Sequence, residues 1–387
     1  MKRVLFVTYD FPFPTNTGGK NRAYHMLKYS KGDFKKYLFS FVRPDFREEY
    51  KKEIEKIGVE VIGTEIRTKV RSPRNILGLF SGKSIFKTIY FSREISADLL
   101  RIITDLKVDM VHFESFYTAF YISDVVRKLG VKQIYGSENI EFKLYEDYTR
   151  GKLLKPLLDI QVNKIKNEEI AMYLEADLTL AVTEDEVKFV KKYAEKCIQI
   201  PNGIDVDEFR FQKPVNKKAA NLLFVGNFTY FPNVEAINSF YDEVFKFFPE
   251  NIRLTVVGKK VSELKFASDP RVEAIEFIPD IKDAYRAADV LISPIRTGGG
   301  TNFKILEAMA SGVPVIAFGD RADALDAEDG KQVLVAKNSA DFKNKIEELL
   351  SDLELRQKLT ENARKLVEEK YSWENIGKEL SRAWESV

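Results

Sequence analysis

The feature that most constrains this chain is a repeated alternation of strand-length apolar runs with helical patterns. It opens with "RVLFVTYDF", an unbroken apolar run of the kind that is covered on both faces in a parallel sheet. The runs "YLFSFV", "VEVIG", "MVHFE", "QIYGS", "LTLAVT" and "IQI" follow, with helical stretches between them, including a long one over about 153–175. Thr183 with Glu186 three residues on forms a capping box that opens one of these helices. Parallel strands need crossover connections, and helices between strands supply them, so the expected form is a doubly wound α/β sheet.

The alternation breaks once. "DEFRFQKPVNKKAAN" has no period and carries Pro214 with three lysines. The pattern then restarts with "NLLFVGN", a helix from about Val234 to Phe247, "RLTVVGK", "VEAIEFI", "DIKDAYRAA", "DVLISPI", "PVIAFGD" and "KQVLVA". Two domains are therefore expected: 1–206 and 221–370, joined by a linker at 207–220, with a closing helix at 371–387. At 387 residues and 44% hydrophobic, the chain has enough apolar material for two cores. Open α/β sheets bind ligands beyond the carboxyl ends of their strands. The loops 11–19 and 297–302 are thus expected to line a cleft between facing domains.

Several function classes are disfavoured at this point. Cys197 is the single cysteine and His25 and His112 the only histidines, so neither a disulfide framework nor a zinc site is expected. The N-terminal apolar run is too short for a secretory signal, and nothing approaches the ~18 apolar residues of a membrane span. A soluble, cytoplasmic protein is expected. Net charge is +2, but residues 67–93 carry seven basic side chains, no acidic one, and interleaved aromatics. This run reads as a solvated face, or as contact with an anionic membrane surface, which would place the protein peripherally at the inner face of a membrane. A nucleic-acid partner is disfavoured by the overall charge balance. A dehydrogenase is disfavoured because neither first strand leads into G-x-G-x-x-G.

"TGGGTNFKILEAMASG" carries the most chemistry. Gly298, Gly299 and Gly300 precede Thr301, the natural N-cap of a helix over about 302–311. Unpaired amides and a positive dipole end favour an anion there, and glycines let a bulky phosphate approach. A tight turn is the plainer reading, although one or two glycines would suffice for it. Glu307 lies one turn further along among apolar neighbours. It either pairs with Lys304 or accepts hydrogen bonds from ligand hydroxyls, about as far from the phosphate as a ribose is from its diphosphate. "PTNTGGKNRAYHML" repeats the theme more weakly, with Gly18 and Gly19 ahead of Lys20 and Arg22.

These motifs, in their order, resemble glycosyltransferase family 4, with the GT-B fold of two Rossmann-like domains. The resemblance runs from the Gly18–Gly19 loop through "ADLTLAVTEDE", "IPNGIDVDEF", "LLFVGNFTYFPNVEAI" and the glycine-loop segment to the terminal "YSW", and is nearest to the branch with a Gly-Gly-Gly-Thr donor loop. It implies retaining, metal-independent transfer of a sugar from a nucleotide diphosphate donor to a glycan or lipid-linked acceptor, with no cofactor. Gly299 to Asn302 and Gly18 to Gly19 would bracket the diphosphate and Glu307 would hold the ribose. The loop at Asp280 and Ile281 would meet the base, and the helix from Trp373 to Trp384 would return to the first domain.

Three departures follow. The family's acidic residue eight positions before Glu307 is Gly299 here, so the donor sugar is left open. The family's Arg and Lys after the second domain's first strand are absent from "VGNFTYFPN", leaving Lys304, Arg296 and Lys259 as candidate cations. Where many relatives carry a histidine after the "QIYGS" strand, this chain has Glu138. Glu138 reads either as a helix-start carboxylate or as a base, orienter or charge stabiliser at the reacting centre. Glu138, Gly19 and Lys304 are assigned to catalysis, and Arg22, Glu114 and Asn139 to the acceptor side. His112 is expected to pack beside its strand end. A nucleotide-sugar epimerase of the same fold and a non-catalytic sugar-binding protein are the alternatives.

Overall fold

A computed structural model describes residues 1–66, 82–122, 129–150, 155–216, 219–296, 303–319, 322 and 325–387. The chain divides into two compact units, one of Met1–Pro201 with Ile376–Val387, the other of Asn202–Asn375. Among the described residues, no helix is long and apolar enough to cross a membrane.

In the first unit, β1 (Lys2–Thr8), β2 (Phe34–Val42), β3 (Val59–Ile66), β4 (Met110–Glu114), β5 (Lys132–Ser137), β6 (Leu178–Ala181) and β7 (Cys197–Gln199) form one parallel sheet ordered β3-β2-β1-β4-β5-β6-β7. Val4 to Val7 are wholly buried, which is why β1 reads as an unbroken apolar run. Strand order reverses between β1 and β4. The carboxyl ends of these two neighbours are where an open sheet leaves a crevice.

The closing helix Trp373–Glu385 contributes its larger part to this unit. A Cβ on Gly377 would stand 2.2 Å from the Tyr29 carbonyl oxygen, so glycine permits close approach of this helix to Gly18–Tyr29. Lys2 Nζ donates to the Trp384 and Glu385 carbonyls at 3.2 and 3.0 Å, a cation at the negative helix end.

The second unit repeats the plan with β8 (Ala220–Val225), β9 (Ile252–Val257), β10 (Val272–Ile275), β11 (Val290–Ser293), β12 (Val315–Phe318) and β13 (Leu334–Ala336) in the order β10-β9-β8-β11-β12-β13. Here the reversal falls between β8 and β11. The helix expected from Val234 begins at Phe231, because Pro232 is favourable in a first turn, and ends at Glu243. The strand expected over 272–278 stops at Ile275, at the sheet edge, and Phe277 is exposed.

The stretch expected to be a linker, 207–220, lies within the second unit, and the chain passes between units at Pro201. Phe209 is buried in the second unit's core, and Gln212 N donates to Ser311 O at 2.9 Å. An aperiodic stretch need not be free: besides that bond to a helix end, its Phe209, Pro214 and Val215 carbonyls accept from the side chains of Arg364, Gln357 and Arg356. Of the basic run 67–93, residues 67–81 lie outside the described residues. Lys83 and Lys87 lie 5.6 and 5.9 Å over the Phe91 ring.

Candidate active site

At the first sheet's reversal, Thr8 pairs with Glu114, and Glu114 pairs with Gly136. A Cβ on Gly136 would stand 2.0 Å from Glu114 Oε2, so the carboxylate occupies space that only glycine leaves. Glu114, 1% exposed, accepts from Arg22 Nε at 2.6 Å and from His112 Nε2 at 2.8 Å. Burial opposes its charge, but Arg22 and His112 outweigh burial and hold its pKa down at about 2.

Trp384 Nε1 donates to His112 Nδ1 at 3.1 Å. An indole N–H only donates, so Nδ1 carries the lone pair and the ring proton sits on Nε2, facing Glu114. His112 therefore does more than pack beside its strand: it links the closing helix to Glu114. Arg22 Nη1 donates to the Ile200 and Pro201 carbonyls at 3.0 and 3.1 Å, where the chain leaves this unit. Arg22 and Glu114, expected on the acceptor side, bond to each other and to buried neighbours.

Gly18 and Gly19, expected ahead of the helix, are its first two residues in Gly18–Tyr29, with Thr17 in the cap position. A Cβ on Gly19 would stand 2.6 Å from the Tyr9 hydroxyl and 3.4 Å from Glu138 Oε1, so the glycine turn and Glu138 are neighbours. Glu138 Oε1 is buried and finds no hydrogen-bond partner among the described residues. Burial, and then the charge of Glu114, push its carboxyl up to about 7, against Arg22. Such a group exchanges a proton near neutral pH, which suits a base, an acid or a charge stabiliser. Asn139, half-buried beside it, accepts from Ser137 Oγ through its carbonyl at 3.0 Å.

The reading of Glu138 as a helix-start carboxylate is not what the structure shows. The helix starts at Glu141, and Glu169 takes its first amides, accepting from Glu141 N at 2.9 Å and Phe142 N at 3.0 Å. Glu169 is wholly buried, accepts also from Tyr173 Oη at 2.7 Å, and is pushed up to about 7 by burial. Sequence reasoning missed it. The available signal was its helical spacing in Lys155–Glu175 from Ile165, Met172 and Tyr173, which are buried with it.

In the second unit, Gly298, Gly299, Gly300, Thr301 and Asn302 lie outside the described residues. The helix that follows, Phe303–Ser311, is buried along Ile305, Leu306, Ala308, Met309 and Ala310. Glu307 accepts from Tyr285 Oη at 2.5 Å. Burial raises its pKa, opposed by that bond and by Lys304. Lys304 Nζ donates to Asn233 Oδ1 at 3.3 Å and lies 4.2 Å over the Phe224 ring. Tyr285 and Asn233, on the helices Ile281–Ala287 and Phe231–Glu243, are tertiary partners that local sequence does not announce.

Arg296 is exposed, with its guanidinium 3.9 Å over Phe318. Lys259 is exposed and gives its carbonyl to Phe228 N at 3.1 Å. Ile281 begins a helix whose cap, Asp280, accepts from Lys282 N at 3.0 Å. No cluster of His, Cys, Asp and Glu able to hold a metal ion occurs among the described residues. A cavity of about 450 Å³ lined by Asn238, Tyr241, Asp269 and Arg271 lies ahead of β10, at the amino ends of the strands and not at the reversal.

Residues 219–352 match the family model described as glycosyl transferases group 1. An uncharacterized glycosyltransferase of Methanocaldococcus jannaschii is 29% identical over 182 residues, 44% of this chain and 46% of that protein. The capsular polysaccharide biosynthesis glycosyltransferase CapM of Staphylococcus aureus is 29% identical over 241 residues, 55% of this chain and 62% of that protein. The chain thus spans about half the length of these curated relatives. Among solved structures, sucrose-phosphate synthase from Thermosynechococcus elongatus superposes with a TM-score of 0.72 at 14% identity, covering 100% of this chain and 99% of that one. Anabaena HepE in complex with UDP and glucose gives 0.69 at 14% identity, covering 100% of both. The architecture of two parallel-sheet Rossmann-like units is that of GT-B proteins.

Proposed function

We propose that this chain is a retaining, metal-independent glycosyltransferase, moving a sugar from a nucleotide diphosphate donor to a glycan or lipid-linked acceptor in polysaccharide or glycolipid assembly. The observation that carries the reading is Glu307, a carboxylate held on the helix after the glycine loop, inside the segment matched to the group 1 family. In this reading Glu307 accepts from the donor's ribose hydroxyls, and the glycine motif at 298–302 takes the diphosphate by the logic of its sequence. Lys304, Arg296 and Lys259 offset its charge as it leaves.

Glu138 takes the acceptor proton or stabilises positive charge at the anomeric carbon, and Asn139 adjoins it on the acceptor side. The HepE complex with UDP and the capsular role in CapM's name support the donor and acceptor classes. The basic run 67–93 is assigned to an anionic membrane surface by its charge pattern alone.

Glu307→Ala is the direct test. Nucleoside diphosphate affinity, measured by calorimetry, is expected to fall several-fold while circular dichroism stays unchanged. Unchanged affinity would reduce Glu307 to a partner of Tyr285 and remove the reading's main support.

A further inference from the structure

Ser115 follows Glu114 out of β4 and carries two costs at once. Its backbone stands at φ 89° and ψ 154°, a region open to glycine and nearly closed to residues with a Cβ. Lys107 and Lys260, also at positive φ, occupy the milder left-handed helical region. Ser115 is 1% exposed, and its hydroxyl finds no hydrogen-bond partner among the described residues. Glycine at this position would remove both costs.

The turn accomplishes something specific. Ser115 N donates to Gly136 O at 2.9 Å, carrying the β4–β5 ladder one residue past Glu114. Thr118 Oγ1 reaches the Glu114 and Ser115 carbonyls, both at 3.0 Å, and Thr118 N donates to Ser115 O at 3.2 Å. The backbone on both sides of Glu114 is thereby pinned while its carboxylate lies over Gly136.

We infer that Ser115 is a positioning residue: its strained turn fixes the Glu114 carboxylate between Arg22 and His112, beside Glu138. A backbone outlier of this kind persists only where surrounding structure holds it, and such outliers gather at functional sites. Glu114 is the charge that, after burial, does most to raise Glu138. Arg22 opposes it, and Glu141 and Tyr135 are the other titratable groups coupled to Glu138. The inference rests on the glycosyltransferase reading only through its activity readout.

Two variants separate the turn from the hydroxyl. Ser115→Gly takes the same φ and ψ without strain and deletes the hydroxyl, so it is expected to keep the Glu138 titration, followed by carboxyl ¹³C NMR, and to raise Tm by about 2–4 °C. Ser115→Val, whose branched Cβ opposes the turn, is expected to lower Tm, to move that titration back toward the ordinary carboxylate range, and to cut kcat at least ~10-fold with donor KM within about twofold.

A folded Ser115→Val protein with a wild-type Glu138 titration would overturn the inference. So would a Ser115→Gly protein with a shifted Glu138 titration, since the hydroxyl would then be responsible, or one with a lowered Tm. If the wild-type protein transfers no sugar, the activity reading fails alone, and Tm with the Glu138 titration still decides the role of Ser115.

Discussion

Glu114 and Glu138 are two carboxyls at adjacent strand ends driven in opposite directions, one down to about 2 by Arg22 and His112 against burial, the other up to about 7 by burial and by Glu114. The difference assigns their work: Glu114 is a permanent anion that holds structure, and Glu138 is the group able to exchange a proton. Transfer that needs the Glu138 carboxylate should rise with pH through about 7. Glu138→Gln should flatten that rise and lower transfer at least ~10-fold at pH 8, with donor affinity within about twofold. Normal transfer by the variant at pH 8 would return Glu138 to a structural turn. Glu138 was legible because a carboxylate directly after a parallel strand stands where ligands bind. The partner of Arg22 was not readable, because its spacing from Gly19 fixes only the helical turn it occupies. The buried Glu114 that captures it lies on another strand.

At the scale of elements, the helix Glu141–Thr149 begins on buried amides satisfied by Glu169 from the next helix, Lys155–Glu175. Glu169 is raised from 4.5 to about 7, so the folded state holds its proton more tightly than the unfolded chain. Its stabilisation is fully present below the unfolded value and lost as pH rises through about 7, up to about 3 kcal/mol for a shift of this size. Glu114 has the opposite sign, contributing above its unfolded value and losing that contribution as pH falls toward 2. Urea titrations at pH 5 and pH 8 should show the wild type losing stability toward pH 8, and Glu169→Gln losing about 2–3 kcal/mol less. Equal losses would mean Glu169 is ionised in the fold at both values. The strands themselves were readable from unbroken apolar runs, whereas the stretch at 207–220 was not. It bonds to one helix end and to side chains of another helix, and such bonds leave no period in the sequence.

Across the whole molecule, two doubly wound sheets each reverse at their centre, between β1 and β4 and between β8 and β11, and Glu114 ends β4 while Arg296 follows β11. That much followed from strand–helix alternation and from glycines ahead of helices. The tie from Trp384 through His112 to Glu114 did not, because it joins residues far apart in sequence through ring nitrogens whose roles only geometry assigns. The central claim is a nucleotide diphosphate donor bound without metal. Calorimetry of the full chain with UDP, GDP, ADP and CMP in EDTA tests it most directly. Selective binding of one nucleoside diphosphate, unchanged by the chelator, is expected. A folded protein that binds none of them, or that binds only when EDTA is withheld, would contradict it.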